Sequence, residues 1–124
     1  MADAIYALHN FWSSFGWKAY DAVTVPSEEN NPEIPRITYE SAMDSFDSPI
    51  LLSASLWDRT YGWLSTELKA KEIYDYIGDG GVFLPFDGGA LWVKRASPFS
   101  QRMSDEDDAM QRIVLQIECE FMRT

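Results

Sequence analysis

One cysteine, Cys119, and one histidine, His9, are all that this 124-residue chain holds of the two residue types most used for metal and redox sites. A lone cysteine excludes an intramolecular disulfide and a cysteine-based zinc site. His9 has no second histidine or cysteine near it in sequence, so it reads as a surface or hydrogen-bonded helix residue rather than a ligand or base. Cations are scarce as well. Ten Lys and Arg stand against twenty Asp and Glu, a net charge of −10, which argues against holding a nucleic acid, because that takes a basic patch that displaces counterions. No run approaches the ~20 apolar residues that cross a bilayer. Residues 1–15 lack the basic start and unbroken apolar stretch of a signal peptide. The expectation is a soluble, intracellular chain with no membrane contact. Catalytic signatures are missing too. The GDGG and DGG stretches lack the Lys and following Ser or Thr of a phosphate loop, and no G-x-S-x-G elbow accompanies His9. The chain is expected to be no enzyme, with no cofactor, no metal and no catalytic residues.

Aromatic residues are abundant. They make up 15% of the chain, with five Trp, more than a single core of this size needs. The surplus marks contact surfaces. One domain over 1–124 is expected, since the length suits a single modest core.

Residues 2–15 place Ile5, Leu8, Trp12 and Phe15 on one helical face, with Gly16 as the stop. A short strand is expected at 22–25, and the polar, proline-bounded 26–35 reads as a loop. Residues 36–40 read as a strand. From Pro49, Ile50, Leu52, Ala54 and Leu56 alternate with Leu51, Ser53, Ser55 and Trp57, the pattern of a half-buried strand. A helix follows, capped by Thr60 and running to about Ile77. Its core face is Trp63, Ala70, Ile73, Tyr74 and Ile77; Leu64 and Leu68 point elsewhere.

The segment 78–103, GDGGVFLPFDGGALWVKRASPFSQRM, organises the rest. Its first glycines end the helix, and two β-prone runs at 82–86 and 90–96 are joined by Asp87-Gly88-Gly89, a strong hairpin signal. Ser97-Pro98-Phe99 is read as breaking the second strand, with an acidic loop to Asp108. A cation site there would want the order and glycine of an EF-hand loop, which are absent, so SDEDD reads as solvated. In 110–121, Ile113, Leu115, Ile117, Cys119 and Phe121 face in. The whole predicts an α+β fold: a mostly antiparallel sheet with two helices packed on one face.

The segments RITYE, PILLSASLW, IGDGGVFLPFDGGALWVKRASPFSQRM and QRIVLQIECEF resemble a family of long-tailed bacteriophages and prophages, the minor tail proteins of the tail-terminator type. The resemblance runs from about Trp17 to Phe121, and the hairpin with SPFSQRM is its most specific part. It implies a tail-terminator-like subunit that forms a ring, commonly a hexamer, at the head-proximal end of the tail tube. Such a ring stops tube polymerisation and offers a surface for head–tail joining. The implied partners are further copies of itself, the tail tube protein and a head-completion or connector protein, with DNA passing through the lumen without specific binding. The implied location is the virion tail or neck, and the host cytoplasm during assembly. A head-closure stopper and a tube protein are the neighbouring alternatives; a carbohydrate-binding module, stacking rings on sugars, is the rival from another class. Leu64, Leu68, Asp87, Arg95, Phe99, Arg102, Asp105, Asp107 and Asp108 are the candidate assembly contacts, because head-to-tail rings need two different complementary patches on each subunit.

Overall fold

The computed structural model describes residues 2–21, 35–41, 49–59, 63–103 and 110–123. The elements in chain order are α1 (Ala2–Ser13), β1 (Lys18–Asp21), β2 (Arg36–Tyr39), β3 (Ile50–Arg59), α2 (Leu64–Ile77), β4 (Val82–Phe86), β5 (Gly89–Met103) and β6 (Met110–Arg123). The strands form one sheet in the order β1-β2-β3-β6-β5-β4. Every pairing is antiparallel except β1 with β2. The mostly antiparallel α+β expectation holds.

The last strand sits at the centre. Ile113, Leu115, Ile117 and Cys119 stand opposite Leu56, Ala54, Leu52 and Ile50 of β3, so the period-two patterns of two distant segments meet on one face. Leu91 and Val93 of β5 extend that face beyond β6. Thr66, Ala70, Ile73 and Ile77 of α2, spaced by four and three, are its buried stripe. On α1 the buried residues are Ala4, Leu8, Phe11 and Trp12, with Phe15 just beyond the helix. Both helices enter the same core cluster. Helix α1 touches β1 and β4, the two edge strands, so the sheet curls around it and both edges lie against a helix.

Several expectations are corrected. The first strand is Lys18–Asp21; residues 22–34, with the strand expected at 22–25 and most of the 26–35 loop, lie outside the described residues. Thr60 does too, and the cap position of α2 is Trp63, which makes no side-chain capping bond. Ile5 and Tyr74 are exposed rather than core. Tyr74 stands one residue round from Ile73, which takes the central buried position.

Ser97-Pro98-Phe99 does not end β5. Between Arg95 and Ser100 the strand advances five residues while β6 advances two, from Ile117 to Leu115. The bulge absorbs a proline that lacks the N–H for a regular ladder. The Ser97–Pro98 peptide is cis, and pairing resumes to Met103. Burial pushes the Cys119 thiol up to about 12, with Glu118 adding to the shift. The thiol is thus a packed apolar group, unreactive while the strand is folded.

Candidate assembly surface

Arg95 and Arg102 lie on the sheet face that packs under α2, Arg95 half-buried and Arg102 exposed. Residues of β5 alternate, and Arg95 falls on the same face as Leu91 and Val93, opposite Ile117. That face lies under α2. Its Nε and Nη2 donate to the Tyr74 carbonyl at 2.9 and 2.7 Å, and Nη1 donates to Asp79 Oδ1 at 2.9 Å. The guanidinium carbon lies 3.4 Å from the centre of the Tyr74 ring. Arg95 is a clamp on the last turn of α2, where the Tyr74 carbonyl also accepts the Gly78 N–H at 3.1 Å and the helix end favours a cation. Arg102, past the bulge, donates from Nε to Glu67 Oε1 at 2.9 Å and lies 5.0 Å from the Trp63 ring centre. Phe99 packs edge-on against Tyr74, ring centres 5.3 Å apart. These three candidate contacts each touch α2 within the subunit and tie β5 to it, and the Arg102 side chain remains 56% exposed. The alternation from Leu91 through Val93 to Arg95 is the sequence signal that would have placed Arg95 inward.

Arg95→Ala is expected to lower stability by about 2–3 kcal/mol, since hydrogen bonds to charged groups contribute ~1.5–3. Arg95→Lys should recover only part of that, lacking the planar fork. Urea denaturation of the three proteins measures it.

Leu64 and Leu68 stand out from α2, 72% and 58% exposed. Beside them a shallow groove of about 360 Å³ runs between α2 and β5, lined by Glu67, Ala70, Lys71, Tyr74, Phe99 and Ser100. Asp87 is exposed at the tip of the β4–β5 hairpin. Asp105, Asp107 and Asp108 lie outside the described residues. The acid excess is unevenly spread: nine of the twenty acids fall in 22–34, 42–48 and 104–109, stretches with no Lys or Arg.

The face of the sheet turned away from the helices carries exposed Leu51, Phe83, Met103 and Met122. Trp92 lies between Phe83, stacked at 5.4 Å and 13°, and the Lys94 amino group, 4.2 Å from its ring centre. Its indole N–H donates to the Gly80 carbonyl at 2.8 Å. Trp12 is core. The other four tryptophans each hold a cation over the ring: Lys69 at Trp17, Arg36 and Arg112 at Trp57, Arg102 at Trp63, Lys94 at Trp92. Pairings such as Trp57 with Arg112 join strands far apart in sequence and left no local signal.

His9 anchors α1 to β2. Its Nδ1 lies 2.7 Å from the Tyr39 hydroxyl, and its Nε2 lies 3.4 Å from Ser13 Oγ. Burial, helped by Asp21, raises the Tyr39 pKa. Among the described residues, no three of His, Cys, Asp and Glu are placed to hold a metal ion. No helix among them is long and apolar enough to cross a membrane.

No family model matches the chain, and no curated protein matches it by sequence. Its fold does occur among solved structures. It is similar to a chain of the structure described as "Virion of native gene transfer agent (GTA) particle", with a TM-score of 0.61, covering 98% of this chain and 92% of that one. Their identity is 18%, so what the two share is the fold.

Proposed function

We propose that this chain is a structural virion protein of a long-tailed phage or a phage-like particle. In this reading it forms a ring, of six copies, at the head-proximal end of the tail tube, where it stops tube growth and offers the surface that joins tail to head. The observation that carries the reading is the fold shared with a chain of a gene transfer agent virion over nearly the full length of both. The resemblance of the hairpin and closing strand to tail-terminator proteins supports the finer assignment. The exposed Leu64 and Leu68 on one side of the subunit and the exposed apolar residues of the helix-free sheet face on the other supply two different patches, as a head-to-tail ring requires. The role is taken to be structural and not catalytic, with the tail tube protein and a head-completion protein as partners. DNA is proposed to pass through the lumen unretained, repelled by the acidic chain.

Deleting the gene from the parent phage tests this. Electron micrographs are expected to show tails of uncontrolled length, or tails and filled heads left unjoined. Particles of normal length and normal joining overturn the tail role. Tails of correct length that fail to join heads would favour a head-closure stopper.

A further inference from the structure

We draw no further inference here: the strongest candidate, the shallow groove between α2 and the stretch of β5 past its bulge, where β4 no longer pairs, is an unpartnered surface, and nothing in the structure shows what covers it.

Discussion

Ile117→Asp is expected to leave the chain unfolded at room temperature. Ile117 lies in the middle of β6, opposite Leu52 on one side and Arg95 on the other, and none of its surface reaches solvent. Losing the isoleucine packing costs about 2–5 kcal/mol by analogy with other large-to-small core changes. Placing a carboxylate there, with no partner for its charge, adds several more. The sum rivals the ~5–15 kcal/mol that holds a domain of this size together. Gln116→Asp, one residue away on the outer face, is the control and should shift stability by no more than about 1 kcal/mol. Circular dichroism melts separate the two. If the Ile117 variant melted within a few degrees of wild type, the inward assignment of β6 would be wrong.

Gly81→Ala should lower the melting temperature by about 10–20 °C, from a loss of about 2–5 kcal/mol. Two causes add. Gly81 has φ +81°, a left-handed conformation that costs a residue with a Cβ about 1–2 kcal/mol. A Cβ built there would also lie 2.6 Å from the Val93 carbonyl oxygen and 2.7 Å from Trp92 Nε1. The carbonyl is fixed in a sheet strand, and the indole is held by Gly80, Phe83 and Lys94. Relieving the overlap means shifting strand or ring, with an overpacking cost of about 1–3 kcal/mol. Gly88, in the hairpin turn, isolates the first cause: its φ is +92° and nothing lies within 4 Å of its Cβ position. Gly88→Ala should therefore cost only about 1–2 kcal/mol, or some 4–8 °C. Equal melting losses in the two variants would show that the close approach of Trp92 to the glycine turn carries no weight. Tryptophan fluorescence should change with Gly81→Ala and not with Gly88→Ala.

The sequence by itself determined the elements and the buried side of most of them. Period-two alternation in 50–57 and 113–121 marked Leu52, Ala54, Leu56, Ile113, Leu115, Ile117 and Cys119 as interior, and all are buried. Asp87-Gly88-Gly89 marked the hairpin, because a tight turn between twisted strands needs the left-handed conformation that Gly88 adopts. Leu64 and Leu68 were legible as outward, since a 3.6-residue period separates them from Ala70 and Ile73. All of these are local properties, carried by residues within a turn or two of one another. The tertiary structure decided the rest: the central place of β6, the parallel pairing of β1 with β2, the survival of β5 past Pro98, and the fate of the arginines. Each depends on partners far apart in the chain. Arg95 meets Tyr74 and Asp79, and Arg102 meets Glu67, only because α2 is laid across β5; Arg112 meets Trp57 only because β6 inserts beside β3. A long, flexible cation can serve a neighbouring subunit or its own helix equally well by composition. Which it does is set by what the packed sheet brings within reach of the guanidinium, and no local pattern in the chain records that distance.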